Sequence, residues 1–142
     1  NVLVTRDILE EDIMLALPRG HRLEGAESVR MADLCKESFV FTHLGPDLGF
    51  AACAYALCSD AGFAPHIAHR ARQFTAIVSF VSAGLGVAFV PASVARMAEV
   101  GVSFVRISDA TVTSRIGLAH LDAPTNPTLR RLLAILEPID QL

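Results

Sequence analysis

An α/β fold, with helices on both faces of a mixed, mostly parallel sheet, is what this sequence predicts, and three features carry the prediction. Short apolar runs alternate with longer Ala- and Leu-rich runs, a glycine or proline closes most of them, and 52% of the residues are hydrophobic against 19% charged. That balance can bury a real core in 142 residues. Strands that alternate with helices need crossover connections, and a sheet built that way is covered on both faces.

Asp12 to Pro18 alternates Ile13, Leu15 and Leu17 with Met14 and Ala16, then stops at Pro18, Arg19 and Gly20, the pattern of a buried strand entering a turn. Ser38 to Thr42 is a second short strand, and His43 to Asp47 is the loop after it. Leu48 to Ala61 has no glycine or proline beyond Gly49, and Gly62 stands where a helix-ending glycine belongs. Pro65 to Ala71 is the next strand candidate. Thr75 can cap a helix that runs to Ala83 and stops at Gly84. Val87 to Val90 gives a strand closed by Pro91, and Ala92 to Ala98 a short helical piece. Val102 to Ile107 and Arg115 to Leu121 are two more strands, and Thr128 to Leu136 repeats leucine and isoleucine at helical spacing.

In such sheets ligands bind at the carboxyl ends of strands, beside helix N-termini. Two loops fit: Thr42 to Asp47, and Arg72 to Thr75. Each aims backbone N–H groups and a partial positive charge at whatever lies between them, which suits a carboxylate or another organic anion. The candidate ligand-binding residues are Thr42, His43, Gly45, Gln73, Phe74 and Thr75. A loop histidine can equally be solvated, and Thr75 can spend its hydroxyl on capping.

Composition argues against several other functions. The net charge of −3, from 15 acidic and 12 basic residues, comes without a Lys/Arg block to follow a phosphate backbone, so direct nucleic-acid binding by this segment is not expected. The apolar stretches Ala51 to Cys58 and Ala76 to Pro91 do not read as membrane spans. Asn1 to Asp12 has no initiator methionine and no apolar signal core, and the sequence reads as a piece of a longer chain. Cys35, Cys53 and Cys58 form an odd set without C-x-x-C spacing, which argues against disulfides and zinc and fits a reducing cytoplasm. His66 and His69 have H-x-x-H spacing, but on a regular strand residues three apart face opposite ways, so a shared metal is not expected. Gly84-Leu85-Gly86 follows a helix and precedes a strand, the reverse of a dinucleotide loop. No G-x-S-x-G, oriented Cys–His pair or close carboxylate pair occurs, so neither catalysis nor a cofactor is expected.

Leu17-Pro18-Arg19-Gly20-His21-Arg22-Leu23 resembles the L-P-x-x-H-P-L hinge of LysR-type bacterial transcription regulators. The segment from Cys58 to Pro65 resembles their C-x-x-A-G-F-x-P, and Val81 to Pro91 their V-A-A-G-L-G-V-A-L-V-P. The order and spacing of these segments, with the terminal helix, cover nearly the whole chain. The resemblance implies the inducer-binding domain of such a regulator, with a type 2 periplasmic-binding-protein-like fold and a small-molecule inducer held between two lobes. It implies residues 1–18 as the end of the first lobe and the hinge, 19–112 as a complete second lobe, and 113–142 as the return to a partial first lobe. Pro18, His21, Val90 and Pro91 are then hinge residues. The winged helix-turn-helix domain is absent from this sequence, so DNA would be contacted only through it. Arg22 stands where the family usually has proline, which leaves the hinge less constrained.

The Leu48–Ala61 helix has almost no polar face, and a helix apolar all round needs cover on both sides. The family is expected to pair side by side through such a helix and its neighbouring strand. That makes Ala51, Ala54, Tyr55 and Cys58 candidate interface residues of a homodimer or homotetramer; burial under a missing part of the same chain is the alternative. The expected function is effector binding that controls DNA binding and transcription by rearranging lobes and oligomer. A transport-type solute-binding protein of the same fold is the competing expectation.

Overall fold

Side-chain alternation along Ile13–Pro18 (β2) organises the molecule, seen here in a computed structural model that describes residues 2–97, 100–122 and 125–136. Ile13, Leu15 and Leu17 point into one apolar cluster, while Met14 and Ala16 point into a second on the opposite face. The strands in chain order are β1 (Leu3–Glu11), β2, β3 (Ser28–Val29), β4 (Ser38–Thr42), β5 (His66–Ala71), β6 (Ala88–Pro91), β7 (Val102–Ile107) and β8 (Ser114–Leu121). The helices are α1 (Gly49–Asp60), α2 (Phe74–Ser82), α3 (Ala92–Ala95) and α4 (Pro127–Ile135), with a 3-10 turn over Met31–Leu34. Among the described residues no helix is long and apolar enough to cross a membrane.

Contacts divide the chain into two compact units: Asp12–Ser114, and the segments before and after it. In the larger unit β2 pairs antiparallel with both β6 and β7, β3 pairs parallel with β7, and β4 pairs parallel with β5. A parallel bridge between Phe39 and Val87 joins the two sheets: the Val40 N–H donates to the Val87 carbonyl at 2.8 Å, and the Val87 N–H to the Ser38 carbonyl at 2.9 Å. The strand order is therefore β3-β7-β2-β6-β4-β5, with β2 running against its neighbours. Helix α1 and the 3-10 turn cover one face, through Ala54, Leu57, Cys58, Met31 and Leu34. Helices α2 and α3 cover the other, through Ile77, Val78, Val81 and Val94. The expected mixed, mostly parallel sheet with helices on both faces is the one observed.

Two placements differ from the sequence expectation. Ile13–Pro18 is an inner strand of the larger unit, so the chain passes between units at Glu11 and Asp12 and not at Pro18. Pro18 pairs with Val102 at the far end of β2, and His21 lies in the turn beyond it, away from that crossing. Val90 and Pro91 do stand near it: Pro91 pairs with Ile13, and the Ala92 N–H donates to the Asp12 carbonyl at 2.9 Å. Arg22 is not a loosening feature either. Its guanidinium donates to Glu37 at 2.6 and 3.1 Å and to the Asp33 carbonyl, while His21 Nε2 meets the other Glu37 oxygen at 3.2 Å. These bonds fix the turn by another means than proline's restricted φ.

The smaller unit contains the β1–β8 pair and α4. Asn126 caps α4, its side chain accepting from the Thr128 and Leu129 N–H groups at 2.8 and 3.4 Å, with Pro127 at the first helical position. Arg6 of β1 donates to the Leu133 and Leu136 carbonyls at the other end, at 2.9 and 3.1 Å. Apolar patterning did not show β1 as a separate strand, because charged Arg6 shares its half-buried side with Val4 and Ile8 while Leu3 and Leu9 are exposed.

Candidate functional site

Because β4, β5 and β6 run the same way, their carboxyl ends, at Thr42, Ala71 and Pro91, form one edge of the larger unit. The Thr42–Ala71 pairing brings the two expected ligand loops together. The His43 N–H donates to the Ala71 carbonyl at 2.9 Å, and the Leu48 N–H to the Gly45 carbonyl at 3.2 Å. Phe50, in the first turn of α1, packs edge-on against Phe74, the first residue of α2, with ring centroids 5.0 Å apart. That contact draws two helix N-termini to one place.

The N-cap residues are Leu48 and Gln73, neither of which makes a side-chain capping bond, and neither helix has an acidic residue in its first turn. The first N–H groups of a helix lack intrahelical acceptors and carry partial positive charge. Across Thr42–Leu48 and Arg70–Gln73 the one carboxylate is Asp47, against the guanidiniums of Arg70 and Arg72. The two loops thus bring helix N-terminal N–H donors and two guanidiniums to one edge.

Of the expected ligand residues, His43, Gly45, Gln73 and Thr75 are exposed, and Thr42 and Phe74 are half-buried. Thr75 does not cap α2. Gln73 holds that position, and Thr75 lies within the first turn with its carbonyl accepting from Ser79 Oγ at 2.9 Å. The Thr42 hydroxyl is fully buried and has no hydrogen-bond partner, which is costly for a polar group. Two participants were missed. Arg70 donates through Nη1 to the Thr42 carbonyl at 3.0 Å and through Nη2 to the Tyr55 hydroxyl at 2.9 Å. Phe50 supplies the contact that joins the helices. Proximity in sequence to the second loop was the available signal for Arg70; its partners, 15 and 28 residues away, left none.

The expected interface residues of α1 need correction. Ala51, Ala54 and Cys58 are buried in the chain's own core, at 0, 4 and 0% exposure, because they lie on the face turned to the sheet. Burial pushes the Cys58 thiol up to about 12. The outward face carries Ala52, Ala56 and Ser59, flanked by half-buried Tyr55. A groove of about 610 Å³ runs beside it, lined by Tyr55, Ser59, Phe63, Pro65 and Ile67.

The argument that His66 and His69 face opposite ways also fails. The register skips Ala68, pairing Ser38 with His66 and Val40 with His69, so this bulge turns both histidines to one face. His66 Nδ1 meets Ser38 Oγ at 3.2 Å, and the His69 ring packs edge-on against Phe80. Among the described residues no three His, Cys, Asp or Glu side chains are grouped to hold a metal ion.

A family model described as the LysR substrate binding domain matches residues 1–138. The chain belongs to that family. It is a family of binding domains and not of enzymes. Among curated relatives, the HTH-type transcriptional regulator ShiR of Corynebacterium glutamicum (strain R) is 31% identical over 117 residues, covering 82% of this chain and 40% of ShiR. The crystal structure of CbnR, a LysR family transcriptional regulator, superposes with a TM-score of 0.85 at 27% identity, over 95% of this chain and 47% of CbnR. The BenM effector binding domain with its effector benzoate gives a TM-score of 0.76 at 23% identity over 99% of this chain and 68% of that one, a likeness of fold. The LysR-type domain described here therefore spans less than half the length of the regulators it matches.

Proposed function

We propose that the carboxyl edge of the larger unit binds a small organic anion as the effector of a LysR-type regulator, and that binding controls a DNA-binding domain elsewhere in a longer protein. The observation that carries this reading is the convergence of two uncapped helix N-termini, joined by Phe50 and Phe74, beside Arg70 and Arg72. Dipoles and fixed N–H donors of this kind favour an anion over a neutral solute. BenM's benzoate makes aromatic acids a sensible first class to test.

Thermal melting against matched pairs of acids and amides, such as benzoate and benzamide, tests the charge requirement. At a concentration 100 times the dissociation constant, a ligand of the native state adds about 2.7 kcal/mol. The acids should raise the melting temperature and the amides should not, and Thr75→Ala and His43→Ala should each reduce the shift. Equal stabilisation by acid and amide would rule out the anion site.

Self-association belongs to the same reading. The outward face of α1 and the end strand β5 lie side by side, and an unpaired strand edge beside an apolar helix face invites a second copy. The residues proposed for that contact are Ala52, Tyr55 and Ala56, in place of the inward Ala51, Ala54 and Cys58.

A further inference from the structure

The peptide linking Thr42 to His43 is held on both sides. Its N–H donates to the Ala71 carbonyl at 2.9 Å, and its carbonyl accepts from Arg70 Nη1 at 3.0 Å. The second arm of the same guanidinium reaches the Tyr55 hydroxyl at 2.9 Å, and the Tyr55 ring lies edge-on to Phe41 at 5.0 Å. Phe41 is the strand partner of Arg70. A planar guanidinium can make two such bonds in fixed directions, which a lysine ammonium on a flexible stem cannot reproduce.

The bulge at Ala68 is what makes this possible. In a strand of the same sequence without the register skip, Arg70 would pair with Thr42 and fall on the α2 side of the sheet, where Val40 lies, and would not reach Tyr55. The result is a bridge from α1, whose outward face flanks Tyr55, to the first peptide of the 43–48 loop.

We infer that Arg70 is a positioning residue for that loop, oriented by Tyr55, and that it couples the exposed flank of α1 to the ligand edge. The structural half of this inference stands on the hydrogen bonds alone; its consequence for binding rests on the anion-site reading above. A change in the surroundings of the Tyr55 hydroxyl, such as a second copy seated on the α1–β5 face, would then alter the setting of the loop without touching it.

Amide hydrogen exchange of the 142-residue chain tests the bridge. Tyr55→Phe keeps the ring against Phe41 and removes only the hydroxyl, while Arg70→Lys keeps the charge and removes the two-armed geometry. Both variants should speed exchange at the His43 N–H several-fold while leaving the melting temperature close to that of the unaltered chain. Ser59→Ala, one turn along α1, should leave His43 unchanged. Unaltered His43 exchange in both variants would overturn the inference. Titration with sodium benzoate gives the second readout: a several-fold weaker affinity in Tyr55→Phe supports the coupling, and an unchanged affinity overturns it. If the unaltered chain does not bind benzoate, the choice of effector class fails and the exchange measurement alone decides the bridge.

Discussion

Gly86 shows how closely one residue can be fixed by its neighbours. Its φ is +148°, and a Cβ there would lie 2.6 Å from the Ser38 carbonyl oxygen. That oxygen accepts the Val87 N–H in the bridge between β4 and β6, so neither side can yield without loosening the sheet. Gly86→Ala should therefore cost about 2 kcal/mol or more and lower the melting temperature by several degrees. A melting curve matching that of the unaltered chain would show that β4 and β6 are not joined this closely. Glu24 gives a milder, pH-dependent test. The Gly20 N–H and then the Ser103 hydroxyl hold its carboxyl below the usual 4.5. A lowered folded-state value means that the stabilisation is present above the unfolded value and is lost as pH falls through the folded one. The advantage in melting temperature over Glu24→Gln should shrink as pH falls below 4.5. An advantage that stays constant down to pH ~3 would remove the carboxylate from that role.

At the scale of elements, α1 separates what the sequence could and could not reveal. Its limits were legible to within a residue or so because Gly49 and Gly62 punctuate it, and the same kind of signal placed α2, β6 and β7. Its orientation was not legible: alanine and cysteine on all sides give no contrast between faces, and nothing in the sequence marks Ala51, Ala54 and Cys58 as the residues that pack inward. The bulge at Ala68 left no mark in the sequence, although it decides which way His69 and Arg70 point. The meeting of the 42–47 and 72–75 loops at one edge was legible because it follows from strand direction and helix starts. The hydrogen bonds of Arg70 were not, because they join residues far apart in sequence. Thiol chemistry tests the inward face of α1. With exposed Cys35 on the surface and Cys58 buried and pushed up to about 12, a thiol reagent near pH 8 should label Cys35 promptly in the native state and Cys58 only on unfolding. Prompt labelling of Cys58 would mean that α1 is turned the other way. At the end of β4, Thr42→Val should leave stability unchanged or raise it by about 1 kcal/mol, since it removes a buried hydroxyl with no partner. A clear loss would reveal a bond that the hydroxyl does make.

For the whole molecule, the proposed contact between copies is open to a sharp experiment on α1. Ala54 and Ala56 are two residues apart on an almost uniformly apolar helix, yet one is 4% exposed against the sheet and the other lies on the outward face. A carboxylate at 54 would be buried without a partner, a cost that a single domain rarely survives. At 56 it would be solvated in an isolated chain but would face its own copy across a symmetric contact, where like charges repel. Ala54→Glu should therefore unfold the chain, while Ala56→Glu should keep the native circular dichroism spectrum and melting behaviour of the monomer. In sedimentation experiments the unaltered chain should associate with rising concentration, and Ala56→Glu should remain monomeric over the same range. If Ala56→Glu associates as the unaltered chain does, the contact between copies lies elsewhere. The groove beside Tyr55 and Phe63 would then face solvent in the assembly, and Arg70 could not carry a signal from one copy to the ligand edge of another.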